Sequence, residues 1–131
     1  MIEISPHERI SSMAEAVNSQ NWLTRIGRAC SLAFVLQIGG DEFHIAVEAG
    51  RVTEVKRGPF LLRSYAFAIR GAEACWAEFW RALPARGFQD LFAMTTYGHV
   101  RVDGDLAPLR QHLPYIKGLL AALRDPQATN S

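Results

Sequence analysis

Apolar and polar residues alternate with a period of two from about residue 32 to 57, and a helical period takes over after Gly71. Leu32, Phe34, Leu36 and Ile38 alternate with Ala33, Val35 and Gln37, the pattern of a strand with one buried face. Gly39-Gly40-Asp41 supplies a hairpin turn, after which Phe43, Ile45 and Val47 resume the alternation against His44, Ala46 and Glu48. Ala49-Gly50 marks a second turn, and residues 52–57 read as a third strand with its charges outward. Gly58-Pro59 breaks the chain. Tyr65, Phe67 and Ile69 mark a fourth strand, and residues 99–103 a fifth, with Val100 and Val102 on one face. Tight turns between the first three strands predict a meander, hence antiparallel pairing.

The helical signals flank these strands. Ser5-Pro6-His7-Glu8 is a capping box with proline at the first helical position, predicting one helix over 6–18 that carries Ile10, Met13, Ala14 and Val17. Trp22, Leu23 and Ile26 predict a second short helix ending near Gly27. Trp76, Phe79, Trp80 and Leu83 fall on one helical face until Pro84 stops the run, and Phe88, Leu91 and Phe92 predict a further short helix. Asp105 is expected to cap a closing segment in which Leu106, Leu109, Leu113, Ile116, Leu120 and Leu123 form one apolar seam. Pro114 removes the bond to the Arg110 carbonyl and disfavours helical geometry at Leu113, and Gly118 weakens the next turn. The segment is therefore expected as two short helices. The bend either follows the sheet or acts as a hinge.

Together these elements predict an α+β fold, a five-stranded mostly antiparallel sheet with helices covering one face. His44 and His99 are expected to face outward or toward an edge. The covered face is crowded with Phe34, Phe43, Phe67, Trp76, Phe79, Trp80, Phe88 and Phe92. Rigid rings at this density either fill a core or wall an apolar cavity, and the pattern alone leaves both open.

Composition narrows the function classes. The chain has 131 residues, enough for one domain, drawn here as 1–124 with a disordered tail over 125–131. Its formal net charge is +1, and Lys56-Arg57 is the single adjacent basic pair, so no strong field draws nucleic acid or an anionic membrane. Cys30 and Cys75 lack CxxC spacing and read as reduced thiols. The polar start of the chain does not resemble a signal peptide. No apolar run approaches the roughly 18 residues of a spanning helix, so a cytoplasmic protein is expected.

The polar chemistry is sparse. His7, His44, His99 and His112 show no metal spacing, and Asp103-Gly104-Asp105 lacks the further acidic ligands of a calcium loop. Ser11, Ser12, Ser31 and Ser64 lack GxSxG context, Cys75 has no neighbouring base, and no phosphate-loop glycine pattern occurs. No catalytic residue, metal or cofactor is predicted, and the chain reads as a non-enzyme.

The stretch over 87–123 is the most informative. Leu91-Phe92-Ala93-Met94, then Gly98-His99-Val100-Arg101-Val102-Asp103-Gly104-Asp105-Leu106, follow the order helix, glycine, short strand, Gly-Asp turn, amphipathic helix. This order resembles the closing third of the sterol-carrier-protein-2 family of small lipid-binding domains. The resemblance implies an apolar tunnel between sheet and helices, with Phe92, Met94, Leu113, Ile116 and Leu120 as lining. Trp76, Phe79 and Trp80 join them on periodicity, and Phe88 on its place in the aromatic face. Thr95-Thr96-Tyr97-Gly98 departs from the small residues that relatives carry before the strand, so Tyr97 is expected to narrow the tunnel or to bond a headgroup. The ending Ala128-Thr129-Asn130-Ser131 differs from the Ser-Lys-Leu-type tail of eukaryotic members, which favours a bacterial stand-alone relative. The implied function is a non-enzymatic lipid carrier that holds a fatty-acyl, sterol-like or isoprenoid chain. The rival is an accessory subunit docking an enzyme of lipid or quinone metabolism, and a homodimer also stays open.

Overall fold

The computed structural model describes residues 5–59 and 63–125. The elements run α1 (Pro6–Ile10), α2 (Met13–Asn18), α3 (Asn21–Ile26), β1 (Leu32–Ile38), β2 (Asp41–Glu48), β3 (Arg51–Arg57), β4 (Phe67–Gly71), α4 (Glu73–Phe79), α5 (Leu91–Thr96), β5 (Val100–Gly104), α6 (Leu106–Gln111) and α7 (Leu113–Ala121). The α+β reading stands. One five-stranded sheet has the order β3-β2-β1-β4-β5. The meander β1–β2–β3 is antiparallel, β4 joins β1 in parallel, and β5 closes the other edge antiparallel to β4. In the β2–β3 hairpin Ala49 and Gly50 both take positive φ, the twist that two-residue hairpins favour.

One sheet face is apolar and carries the helices. Phe34, Leu36 and Ile38 of β1, Phe43 and Ile45 of β2, Phe67 and Ile69 of β4 and Val100 of β5 are buried there. The Phe34 and Phe67 rings stack across the parallel pair with centroids 5.3 Å apart. Met13, Val17, Trp76, Phe79, Trp80, Met94, Tyr115, Ile116, Leu119 and Leu120 complete a continuous core from the helical side.

The opposite face corrects one expectation. His44 does not reach solvent: it is 6% exposed, and its Nε2 lies 3.0 Å from the Ser64 carbonyl. Of the connection from β3 to β4, Arg63 and Ser64 lie over this face. Arg63 pairs with Glu54 across it at 2.5 Å. Beside it, the Arg70 guanidinium donates to Gln37 and Glu42, both at 2.6 Å, and to Asp103 at 3.0 Å.

Two helix boundaries also differ from the pattern. The first helix is split, because the Ser11 and Ser12 hydroxyls donate to the Glu8 and Arg9 carbonyls and tighten the chain into a turn. α4 ends at Phe79 rather than running to Pro84, which leaves Leu83 exposed. Its last carbonyls, Phe79 and Trp80, accept from Arg124 Nε and the Asp125 N–H, both at 2.9 Å. Asp125, drawn at the start of the tail, is thus tied down, and Arg9 pairs with it at 2.7 Å. The rest of that tail, 126–131, lies outside the described residues. The closing segment divides as expected, at His112, with Pro114 in the first turn of α7.

Candidate functional site

The local rules that build α5, β5 and α6 also open a groove between them. Asp90 caps α5 by accepting from the Ala93 N–H at 2.8 Å, which fixes the rotation of the helix. Burial opposes ionisation of this carboxyl, but the Ala93 N–H and the Lys117 ammonium outweigh it and hold its pKa below the usual carboxylate value. Leu91, Ala93 and Met94 then turn into the core, while Phe92 is 69% exposed. Asp105 caps α6 through the Ala107 N–H at 3.1 Å, burying Leu109 and leaving Leu106 at the surface. The break at His112 lets α7 turn its own apolar face, Tyr115, Ile116, Leu119 and Leu120, into the core.

Between these elements lies a cavity of about 490 Å³. Leu91, Phe92 and Thr95 of α5, Val100, Arg101 and Val102 of β5, Leu106, Leu109 and Arg110 of α6, and Leu113 of α7 line it. Its wall is mostly aliphatic, with no carboxylate, histidine or cysteine. Thr95 brings the one hydroxyl, and that hydroxyl donates to the Phe92 carbonyl at 2.8 Å. Two guanidinium groups border the apolar wall. Arg101 pairs with Asp103 at 3.1 Å, whereas Arg110 forms no ion pair with a described residue. The groove can hold an apolar chain by burial, and its lining carries no nucleophile–base pair.

Of the lining expected from the sequence, Phe92 and Leu113 meet in this groove. Trp76, Phe79, Trp80, Met94, Ile116 and Leu120 sit in the packed core and do not line it. The Trp76 and Trp80 rings stack at 5.2 Å, and their indole N–H groups donate to the Gln37 and Leu120 carbonyls at 2.9 and 2.8 Å. Phe88 stands before α5, not in it, and stacks on His99 at 4.0 Å. Tyr97 stacks on the same imidazole at 6.0 Å. Neither Phe88 nor Tyr97 lines the groove. Leu91, Val100, Val102, Leu106, Leu109, Arg101 and Arg110 complete it and were not singled out as lining. Their signal lay in the β5 alternation and in the first half of the closing seam.

Among the described residues no cluster of three or more His, Cys, Asp or Glu side chains could hold a metal ion. No helix among them is long and apolar enough to cross a membrane. Cys30 and Cys75 are free thiols.

No family model matches the chain, and no curated protein does. Solved structures do. A crystal structure of sterol carrier protein 2 superposes with a TM-score of 0.72 at 12% identity, covering 96% of this chain and 99% of that one. Palmitated SCP2L2 from Aedes aegypti gives a TM-score of 0.59 at 13% identity, with 96% and 100% covered. A UbiJ-SCP2 ubiquinone synthesis protein gives 0.58 at 12% identity, with 86% and 85% covered. At this identity the likeness speaks for the fold: the chain is, by fold, a sterol-carrier-protein-2-like domain.

Proposed function

We propose that residues 1–124 form a single domain that carries lipid without catalysing a reaction, and that the groove between α5, β5 and α6 takes the lipid's apolar chain. The observation that carries this reading is the groove itself, about 490 Å³ with a mostly aliphatic wall and no acid–base pair. The driving term is burial of methylenes, at about 0.8 kcal/mol each, so affinity grows with chain length. A fatty-acyl or isoprenoid chain suits an apolar cleft between these helices and a strand. The palmitated relative of the same fold supports the acyl case. The location in this reading is the cytoplasm.

The rival reading is an accessory subunit that docks an enzyme of lipid or quinone metabolism. It draws on the ubiquinone synthesis protein that shares the fold. The two separate in one experiment. Native mass spectrometry of the purified chain, before and after addition of palmitate, should show a one-to-one lipid adduct if it is a carrier. A bare mass under both conditions, with an enzyme recovered in a pull-down, would replace the carrier by the docking subunit.

A further inference from the structure

Residues 80–90 join α4 to α5 without forming a helix or a strand. Where they run is therefore decided by side chains. At the near end Glu78 accepts from the Ala85 N–H at 2.8 Å, and toward the far end the Gly87 N–H donates to Gln89 Oε1 at 2.7 Å. Two cations from the closing stretch of the chain grip the last two residues. Arg124 Nη2 donates to the Gln89 carbonyl at 3.1 Å, and Lys117 Nζ lies 3.1 Å from the Asp90 carboxylate. Arg124 Nε also donates to the Phe79 carbonyl at 2.9 Å, and its guanidinium carbon stands 4.7 Å from the centroid of the Phe79 ring. One planar fork thus joins the end of α4, the end of α7 and the start of α5.

Such a grip matters because α5 is too short to hold its own orientation. It has six residues, whereas isolated helices shorter than roughly 12–15 residues are marginal in water. Gln89 immediately precedes Asp90, the residue that caps α5. That cap sets which side of α5 turns inward: Leu91 and Met94 are buried, and Phe92 stands out at the groove. A turn of one residue position, about 100°, would take Phe92 off the groove wall. A solvated ion pair from Lys117 would by itself hold the cap weakly. Both Arg124 bonds are charge-assisted and go to main-chain carbonyls, so they fix the path of the chain.

We infer that Arg124 is a positioning residue for the groove, acting through the start of α5, with Lys117 assisting it. Neither side chain lines the groove. α7 supplies Leu113 to one wall at its first residue, and Lys117 and Arg124 secure the opposite wall from its far half. The consequence for ligand binding rests on the groove as the lipid site, whereas the hold on α5 does not depend on it.

Amide hydrogen exchange of the ligand-free full chain, read residue by residue, tests the hold. The Ala93, Met94 and Tyr97 N–H groups donate within α5 and its cap. In Arg124→Gln they should exchange about tenfold faster, the loss expected for a bond from a charged donor, while β1 and β2 amides keep their rates. Arg124→Lys keeps the charge but not the fork and should behave like Arg124→Gln. Lys117→Gln should speed the same amides about threefold. If Arg124→Gln does not fold, the Arg124→Lys and Lys117→Gln variants carry the comparison. A palmitate titration of the same proteins reads the consequence: affinity should fall severalfold in Arg124→Gln. Absence of palmitate binding by the unaltered chain would remove the lipid reading of the groove and leave the exchange data to decide the hold. Unchanged α5 exchange in Arg124→Gln, equal acceleration throughout the sheet, or native rates in Arg124→Lys would overturn the inference. So would equal palmitate affinity in Arg124→Gln and the unaltered chain.

Discussion

The Tyr115 hydroxyl donates a 2.8 Å hydrogen bond to the Gly50 carbonyl, a buried link between α7 and the β2–β3 turn. Burial, with the nearby Cys30, raises this phenol above its ordinary pKa, so it remains a donor at neutral pH. Tyr115→Phe strands the carbonyl and should cost about 1–3 kcal/mol in urea unfolding. Gly27→Ala drives a methyl group into the same ring and should cost a similar amount, about 1–3 kcal/mol. Neutral results for both would mean that α3, α7 and the turn are not packed as described.

Phe79 and Phe92 look alike in the sequence and should behave oppositely. Phe79 is 1% exposed, so Phe79→Ala should lower stability by about 3–5 kcal/mol. Phe92→Ala should change it by no more than about 0.5 kcal/mol. Long-chain fatty-acid affinity should fall in Phe92→Ala. Thermal unfolding and a fluorescent fatty-acid titration check the pair, and equal destabilisation at both positions would contradict the placement of Phe92.

Burial pushes the Cys30 thiol up to about 11. Its folded pKa lies above the unfolded value of about 8.5, so its contribution to stability is fully present below that and is lost as pH rises towards about 11. Denaturation midpoints should decline over this window more steeply in the native chain than in Cys30→Ala. At mildly alkaline pH a thiol reagent should modify Cys75 at once and Cys30 on unfolding. Immediate reaction of both thiols would show Cys30 to be accessible.

Pro114 stands in the first turn of α7 beside the groove, where Leu113 is part of the wall. We expect this joint to act as a hinge. Pro114→Ala should stiffen it, slowing ligand entry and release in stopped-flow measurements while affinity stays little changed. Unaltered exchange rates would leave a static bend.

The strands were legible because period-two alternation and two-residue turns report a half-buried sheet directly. β1, for example, runs from Leu32 to Ile38 as its alternation predicts. The parallel partnership of β1 with β4 was not legible, since it is set by a crossover and not by local pattern. The burial of His44 followed from that same crossover. The closing helices were legible from Pro114 and from the Asp105 cap. The site was legible in part. Periodicity marks which residues leave water, but it does not separate a filled core from a groove wall. Trp76 and Trp80 were read as wall on their periodicity, whereas Leu106 and Leu109 were read only as part of a seam facing the sheet or the tunnel. The orientation of Phe92 depended on one capping residue, Asp90, and a shift of one position along α5 would have buried it.

If the groove is the lipid site, an apolar chain lies between α5, β5 and α6. A backbone amide NMR titration of the chain with palmitate tests it directly. Saturable shifts should concentrate at Leu91, Phe92, Thr95, Val100 to Val102, Leu106, Leu109, Arg110 and Leu113, with the indole N–H signals of Trp76 and Trp80 nearly still. Shifts centred on those two indoles would put the ligand between sheet and helices instead, and a spectrum that palmitate leaves unchanged would contradict lipid binding at this groove.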